Sequence, residues 1–294
     1  MKYSIDLIEL YRRIMPNALR LPAYWARTRV LRSLNHSIVW LTDPSVMFMR
    51  SRLEKFRGAY AGQRCFIMGN GPSLNQMNLE LFKDEIVWGS NRCYLLFDRI
   101  SWRPKFYVAV DKRVVPDNAD EINALSMQLP DTHFFYPVLF RYDKVLRPAD
   151  NAYWYNEVSL DEDNLPYSMF STNIPELVYS VRTVTVAMLQ IAVYLGFNPI
   201  YLIGCDTSYT VPKTIQYENG NPDLLVSTSA DVNHFDSSYF GKNKKWHEPH
   251  VDRMIFHYEQ SKKVCDELGV KVYNATVGGN LEVFPRVNYE DLFK

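Results

Sequence analysis

Short apolar runs alternate with longer helical patterns along most of the chain after residue 64. Runs with the length and composition of buried strands occupy 65–68, 86–90, 106–110, 133–136, 199–203 and 270–273. The almost wholly apolar segment 183–196, which Gly196 closes, predicts a buried helix, and 248–268 predicts a second long helix. Strands that alternate with helices indicate an α/β fold with a mainly parallel, Rossmann-like sheet.

Glycine and polar residues follow several of these predicted strands. The first strand runs into Gly69-Asn70-Gly71-Pro72-Ser73, and later strands end at Asn91, at Asp111 and at Gly204-Cys205-Asp206. Glycines let backbone N–H groups approach an anion closely. Ligands of open α/β sheets bind outside the carboxyl ends of the strands. We therefore predict that the loop 69–73 binds a phosphate group and that the other strand ends line the same crevice.

A second set of polar residues stands at the start of the apolar helix. Thr183 and Thr185 lie where the helix dipole and free backbone N–H groups favour a phosphate. The loop 69–73 lacks the Gly-Lys-Ser/Thr ending of a P-loop. It also lacks the third glycine of a dinucleotide site, and no acidic residue ends the second strand. The sequence therefore predicts a phosphate site that is neither a P-loop ATPase site nor an NAD site.

The first 63 residues differ in charge from the rest of the chain. They hold eleven Lys or Arg against four Asp or Glu, although the whole chain has a net charge of zero. Arginines among apolar residues are typical of helices that lie on an anionic membrane or dock on a partner, and equally of an appendage packed on its own domain. No nucleic-acid-binding motif accompanies them. We therefore divide the chain into a basic helical segment, 1–63, and a Rossmann-like domain, 64–294.

Cysteine usage and hydropathy indicate the compartment. The four cysteines are widely spaced and form no C-x-x-C pair, which predicts reduced thiols. The N-terminus lacks the pattern of a signal peptide, and no run approaches the roughly 18 to 20 apolar residues of a membrane span. We expect a cytoplasmic protein, peripheral to the inner face of the cytoplasmic membrane through residues 1–63.

Acidic and histidine patterns were considered as metal sites. Asp161-Glu162-Asp163 has the Asp-x-Asp spacing with which many sugar-nucleotide transferases hold a divalent ion, but its acidic, polar surroundings favour a solvated loop. His247 and His250 lack a third ligand nearby, which favours a helix start. The carboxylates of Asp111 and Asp206 keep a magnesium-assisted mechanism open. The residues by themselves leave metal dependence open.

Several of these segments together resemble one enzyme family. Residues 66–74, Asn91, 200–206 and the triplet Asn233-His234-Phe235 are similar in order and approximate spacing to glycosyltransferase family 42, the bacterial sialyltransferases. The Gly-Asn-Gly-Pro-Ser-Leu loop also resembles the wider group of motility-associated flagellin glycosyltransferases and MptE-like hydroxymethylpterin diphosphokinases. Within that group, the segment 274–284 is similar to members found among surface-polysaccharide genes. The resemblance covers residues 64–284.

The resemblance to sialyltransferases implies a GT-A-like variant of the Rossmann-like fold that binds a CMP-activated nonulosonic acid. Such an enzyme inverts the anomeric carbon, needs no metal and transfers the sugar to a surface-glycan or lipid-linked acceptor. His234 matches the general base, and it lies in the polar stretch 207–245, which is typical of an active-site lid. Tyr209 is close to the position of a tyrosine that hydrogen-bonds the leaving phosphate.

By motif position, the same resemblance implies that the nucleotide donor is bound by Asn70, Gly71, Ser73, Asn91, Thr183 and Thr185. The strand-end residues Gly69, Asp111, Gly204 and Asp206 complete the predicted donor site. Two positions depart from the family, since Thr185-Val186 replaces a Ser-Gly pair and Asp111 replaces an asparagine. Two other functions stay open. One is a magnesium-dependent diphosphokinase acting on a small alcohol such as a hydroxymethylpterin, and the other is a non-catalytic nucleotide-binding protein. The donor sugar, the acceptor and the oligomeric state, a homo-oligomer included, are also left open.

Overall fold

The computed structural model describes residues 44–158, 169–210, 216–217 and 224–294, and these residues form an α/β fold. The strands of the described residues are β1 (Cys65–Met68), β2 (Val87–Ser90), β3 (Phe106–Val108), β4 (His133–Pro137), β5 (Ala152–Tyr155), β6 (Glu157–Val158), β7 (Val178–Tyr179), β8 (Ile200–Ile203), β9 (Gln216–Tyr217), β10 (Leu224–Val226), β11 (Lys245–His247) and β12 (Val272–Asn274). The main sheet has the order β12-β8-β1-β2-β3-β4-β5, and each pair of neighbours in it is parallel. The predicted α/β fold with a Rossmann-like parallel sheet is confirmed.

The strand order reverses at the centre of this sheet. The chain runs outward from β1 to β5 and then returns to place β8 on the other side of β1. Cys65 pairs with Ile200 and Met68 with Ile203, so the two central strands end at the same level. All four residues of β1 are buried, as expected for a strand covered on both faces. The loops after β1 and β8 therefore lie side by side at the switch point, where ligands of such sheets bind.

Helices cover the sheet. The α-helices of the described residues are α1 (Pro44–Glu54), α2 (Val114–Asp117), α3 (Ala119–Gln128), α4 (Val138–Tyr142), α5 (Val184–Leu195) and α6 (Val251–Glu267), and short 3₁₀ helices occupy Pro72–Gln76, Leu79–Phe82, Cys93–Leu96 and Tyr289–Phe293. The apolar helix α5 is buried along nearly its whole length. Thr183 caps its N-terminus by accepting a hydrogen bond from the backbone N–H of Thr185, 3.3 Å away. Gly196 ends it with a φ of 89°, a conformation that favours glycine.

The described end of the predicted basic segment packs on the sheet. Helix α1 lies against β5, and its Leu53 is fully buried. The guanidinium of Arg52 donates a hydrogen bond to the carbonyl of Ala152 at 2.8 Å. Phe56 adds an edge-to-face contact with Tyr153 at 4.8 Å between ring centroids. Within 44–63, the side chains of Val46, Met49, Leu53 and Phe56 are therefore part of the hydrophobic core. Residues 1–43 lie outside the described residues, and membrane contact through the basic segment stays a prediction.

Two stretches differ from the predicted elements. The sequence also favours a short helix at 77–83, and the structure has the 3₁₀ helix Leu79–Phe82 there, preceded by a second 3₁₀ helix, Pro72–Gln76, within the predicted loop. The polar stretch 207–245, predicted as a loop, contributes to a three-stranded antiparallel sheet of order β11-β10-β9. These strands are only two or three residues long, which is too short for sequence periodicity to identify them. Within the described residues, no helix combines the length and apolar character that crossing a membrane requires.

Candidate functional site

The loop after β1, which we call the glycine loop (residues 69–73), is packed directly on the end of β8. Asp206 accepts hydrogen bonds from the backbone N–H of Ser73 at 3.1 Å and from its hydroxyl at 2.7 Å. A Cβ on Gly71 would lie 1.8 Å from the Asp206 carboxylate, and one on Gly69 would lie 2.3 Å from the carbonyl oxygen of Gly204. The two glycines therefore allow an approach of two loops that no side chain would permit.

Asp206 holds together three loops at the switch point. Its own carbonyl accepts a hydrogen bond of 2.7 Å from the backbone N–H of Asn280, in the loop after β12. A Cβ on Gly279 would lie 2.8 Å from the Asp206 backbone. Burial raises the pKa of the Asp206 carboxyl, and the hydrogen bonds from Ser73 only partly oppose this. Both carboxylate oxygens face Ser73, so Asp206 acts here as a support of the glycine loop.

Two asparagines at adjacent strand ends carry buried side-chain oxygens without a hydrogen-bond partner. Asn70, after β1, donates from Nδ2 to the hydroxyl of Ser90 at 3.1 Å, while its Oδ1 has no donor. Asn91, after β2, is buried with a φ of 47°, and its Oδ1 is likewise unpartnered. Buried carbonyl oxygens without donors are rare because they cost free energy. These two oxygens fit a ligand that donates hydrogen bonds.

The other predicted strand-end and helix-start residues already have protein partners. Asp111 follows β3, and its Oδ1 accepts from the backbone N–H groups of Arg113 at 2.7 Å and Val114 at 2.9 Å, which caps α2. Thr183 and Thr185 at the start of α5 are hydrogen-bonded to the side chain of Tyr258.

Burial raises the pKa of the Tyr209 phenol to about 12. The cysteine thiol and the two carboxylates around it, Cys205, Asp206 and Asp231, add to this shift. Tyr209 is therefore protonated at neutral pH. It can donate a hydrogen bond to an anion, such as a leaving phosphate, near the end of β8.

His234 is held by a buried carboxylate. Its Nδ1 lies 2.8 Å from Oδ2 of Asp231, whose side chain is 3% exposed. Asp231 also accepts from the backbone N–H groups of Asn233 at 2.7 Å and Phe240 at 2.9 Å. Burial raises the pKa of Asp231, but the hydrogen bond and charge of His234 outweigh it, so this pKa lies below its ordinary value. Asp231 is therefore a carboxylate that can only accept, and Nδ1 must carry the proton, which leaves Nε2 as the basic nitrogen.

The ring of His234 is also fixed in orientation. It stacks on Tyr239 with ring centroids 4.0 Å apart and an interplanar angle of 1°. Arg92, which follows β2, donates hydrogen bonds to the carbonyl of Ser238 at 2.8 Å and to that of Tyr239. The segment that carries the histidine, which we call the histidine segment (residues 231–240), is thus tied to the end of β2.

The histidine segment is tied to the two central strands as well. The backbone N–H of Phe235 donates to the carbonyl of Asn70 at 3.0 Å, and Asn75 donates to the carbonyl of Phe235 at 2.9 Å. The side chain of Asn233 makes two hydrogen bonds with the backbone of Thr210, at 2.7 and 2.9 Å. His234 is therefore carried at the carboxyl edge of the sheet, beside the glycine loop and the loop of Tyr209.

The structure adds residues that the sequence reasoning missed. Asp231 stands three positions before His234, and this spacing was the one local signal for it. Asn75, Arg92 and Tyr239 act through contacts with distant parts of the chain, so local sequence gave no signal for them.

The metal-ligand patterns do not form a site in the described residues. Within them, no group of three or more His, Cys, Asp or Glu side chains is placed to hold a metal ion. The motif at 161–163 lies outside the described residues. His250 stands at the N-terminus of α6, as expected for a helix start, and the side chain of His247 is not described. Asp206 directs both oxygens to Ser73, and Asp111 uses one oxygen in a helix cap. This donor set does not fit a two-carboxylate magnesium site.

The chain belongs to a recognised family. Residues 44–212 match the family described as 6-hydroxymethylpterin diphosphokinase MptE-like, which is more than half of the chain. The predicted relation to the group that contains MptE-like proteins is thereby confirmed. No curated protein matches the sequence significantly.

Two solved structures are similar in fold. One is the MAf glycosyltransferase from Magnetospirillum magneticum AMB-1, with 14% identity, a TM-score of 0.45, and coverage of 82% of this chain and 38% of that one. The other is the sialyltransferase CstII from Campylobacter jejuni in complex with a substrate analogue, cytidine-5′-monophosphate, with 15% identity, a TM-score of 0.42, and coverage of 77% and 85%. The chain thus spans well under half of the MAf glycosyltransferase.

Proposed function

We propose that the protein is a glycosyltransferase that uses a nucleotide-activated sugar, with a CMP-linked nonulosonic acid as the donor. The acceptor is a hydroxyl of a bacterial surface glycan or of a lipid-linked glycan precursor. The observation that carries this proposal is the hydrogen-bonded pair of Asp231 and His234, held beside the glycine loop. A buried carboxylate that fixes one imidazole nitrogen makes the other nitrogen a positioned general base.

The proposed reaction is a single displacement. Nε2 of His234 takes the proton of the acceptor hydroxyl while that oxygen attacks the anomeric carbon from the face opposite the phosphate. The bond between the anomeric carbon and the phosphate oxygen breaks, and its electron pair leaves with the CMP. Asp231 stabilises the imidazolium that forms. The configuration at the anomeric carbon is inverted.

The donor side of the proposal rests on the unpartnered oxygens and on Tyr209. The side-chain oxygens of Asn70 and Asn91 would accept hydrogen bonds from amino or hydroxyl groups of the nucleotide. The protonated phenol of Tyr209 would donate to the leaving phosphate, which lowers the barrier to its departure. The carboxylates of Asp111 and Asp206 are engaged in hydrogen bonds within the protein, and the proposed reaction assigns no step to a metal.

The family match favours a second candidate, a diphosphokinase that transfers pyrophosphate from ATP to a small alcohol such as a hydroxymethylpterin. The pair of His234 and Asp231 could also deprotonate such an alcohol. Transfer from ATP would require magnesium at the phosphates, and the carboxylates at the strand ends are engaged elsewhere. The site therefore supports sugar transfer better.

The proposed location is the inner face of the cytoplasmic membrane. The excess of arginine and lysine in residues 1–63 supports it, because anionic lipid attracts basic segments. A homo-oligomer is compatible with the proposal.

A thermal-shift screen with CMP, UDP, GDP, ADP and ATP, each with and without Mg²⁺, tests the proposed donor class. We expect CMP to raise the melting temperature without Mg²⁺, because a ligand at one hundred times its Kd stabilises the folded state by about 2.7 kcal/mol. We also expect slow hydrolysis of CMP-N-acetylneuraminic acid. A response to ATP that requires Mg²⁺, together with AMP release and no response to CMP, would establish the diphosphokinase instead. No response to any nucleotide would favour a non-catalytic protein.

Replacing Asp231 by asparagine should lower kcat by about a hundredfold with little change in the Kd for CMP. The physical reason is that a neutral amide stabilises the imidazolium far less than a carboxylate does. Asp236→Asn is the matched control, since Asp236 lies in the same segment and its carboxylate accepts hydrogen bonds from the backbone N–H and the hydroxyl of Ser238, at 2.8 and 2.6 Å, and not from His234. Steady-state kinetics and CMP titrations of both variants measure kcat and the Kd for CMP. A kcat of Asp231→Asn equal to that of the parent protein would contradict the role of Asp231.

A further inference from the structure

The stacked contact between His234 and Tyr239 places an aromatic face against the imidazole. The two rings are parallel within 1°, their centroids are 4.0 Å apart, and the side chain of His234 is only 12% exposed. The face of an aromatic ring is the negative part of its quadrupole. A cation within about 6 Å of such a face is attracted to it, and more strongly where water is excluded. The stack therefore favours the charged form of the imidazole over its neutral form.

The ring of Tyr239 is held in this position from several sides, and the residue is 2% exposed. Its backbone carbonyl accepts a hydrogen bond from the guanidinium of Arg92, and its phenol oxygen accepts one from the backbone N–H of Arg92 at 3.5 Å. Phe235 and Phe240 contact the ring edge-on, with centroids 6.1 and 5.2 Å away. The ring is therefore in place before the charge of the imidazole changes.

Three charged side chains also lie near this stack. Asp231 binds Nδ1 of His234, and the carboxylate of Asp206 interacts electrostatically with the same imidazole. The guanidinium of Arg92, a charge of opposite effect, lies 5.7 Å from the centroid of Tyr239. All three charges remain when only the ring at position 239 is altered. The contribution of the aromatic face can therefore be measured separately from theirs.

We propose that Tyr239 is a positioning residue for His234 and that its aromatic face stabilises the imidazolium formed when Nε2 takes the proton of the attacking hydroxyl. The inference rests on the proposed function for that proton transfer. The imidazole carries more positive charge in the transition state than in the ground state, so a contact that favours the charge accelerates the reaction. A contact of this kind between buried groups is worth roughly a factor of ten in rate.

Graded fluorination of the ring at position 239 tests the proposal. The series begins with Tyr239→Phe and continues with phenylalanines that carry one, two and three ring fluorines. Each fluorine draws electron density from the aromatic face and leaves the shape of the ring almost unchanged. We expect the proton affinity of the His234 imidazole to fall stepwise, by roughly tenfold over the series. Titration of the imidazole NMR signals measures it, and His234→Ala assigns the signal of His234 among the six histidines.

The same series supplies a rate readout. Single-turnover hydrolysis of CMP-N-acetylneuraminic acid, in which water takes the place of the acceptor hydroxyl, should slow stepwise by up to about tenfold. The Kd for CMP should stay within about twofold. A ring that only supports the segment by packing would give no graded loss. Tyr201 is the matched control position, because its ring stacks on Phe66 at 5.2 Å. The same fluorinated residues at position 201 should leave both measurements unchanged.

The outcomes separate this inference from the proposed function. A proton affinity of His234 that stays constant over the series would overturn the stabilising contact. A stepwise fall in proton affinity with a constant rate of hydrolysis would overturn its part in the reaction. A stepwise fall in proton affinity in a protein that binds no nucleotide and hydrolyses no CMP-sugar would support the contact and refute the transferase.

Discussion

Replacing His234 by alanine is expected to lower the rate of sugar transfer by about 10²- to 10⁴-fold, the contribution typical of a general base. CMP binding should persist, because the unpartnered oxygens of Asn70 and Asn91 do not depend on the imidazole. The segment should also keep its conformation. Asp231 retains two backbone donors, the N–H groups of Asn233 and Phe240, when the ring is removed. Transfer assays, CMP titration and thermal melting of the variant measure the three effects.

Added imidazole provides the control for this variant. If the lost group is a base, free imidazole should restore part of the transfer rate in His234→Ala and leave the parent protein unchanged. Transfer by the variant at the parent rate would remove His234 from the mechanism. Loss of CMP binding together with transfer would show that the histidine binds the donor.

Replacing Gly71 by alanine is expected to lower the free energy of unfolding by about 3 kcal/mol and to abolish nucleotide binding. The added Cβ would lie 1.8 Å from Oδ2 of Asp206, so the carboxylate must leave Ser73. Overpacking typically costs about 1 to 3 kcal/mol, and each hydrogen bond to a charged group about 1.5 to 3 kcal/mol. Gly71 has a φ of −71°, which any residue adopts, so the effect is purely steric. Chemical denaturation and CMP titration of the variant measure it.

Gly241→Ala is the matched control, because the nearest atoms to its added Cβ lie 3.6 Å away, an ordinary contact. Its stability should change by no more than about 1 kcal/mol. The double variant Gly71→Ala/Asp206→Ala gives a sharper test. Asp206→Ala removes the carboxylate and its clash with the added Cβ, and only the approach of 2.8 Å to the carbonyl oxygen of Gly204 remains. The double variant should therefore lose less stability than the sum of the two single variants. Strict additivity would show that the two residues do not interact.

The sequence predicted the central part of the fold because its signals there are local. Four consecutive apolar residues specify β1, and the glycine that follows them specifies a turn. The long apolar pattern specifies the buried helix α5. The strand β5 was missed, since its sequence Ala-Tyr-Trp-Tyr lies in a region rich in Pro, Asn and Asp. The 3₁₀ helix Pro72–Gln76 was also missed, because its Ser73 is bonded to Asp206, which is distant in the sequence.

The sequence predicted which polar residues gather at the carboxyl edge of the sheet better than it predicted their hydrogen-bond partners. The carboxyl ends of parallel strands meet at one edge, so polar residues there, such as Asn70 and Asn91, were expected together. Their partners were not, because hydrogen bonds such as that between Asn233 and Thr210 depend on how two loops meet. Asp206 is a further example. The sequence predicts that it binds the nucleotide donor, but in the structure its carboxylate accepts a hydrogen bond from the hydroxyl of Ser73.

The hydrogen bonds that fasten the histidine segment to Asn70, Asn75, Arg92 and Thr210 have a consequence for turnover. Each contributes about 1 kcal/mol, so detaching the segment would cost several kcal/mol and the detached state would be a small minority of the population. Under the proposed function, the base would then be in place before any acceptor arrives. Water can take the position of the absent hydroxyl in such a site. An idle enzyme would therefore consume its own donor, and only a supply of acceptor would protect the activated sugar from waste.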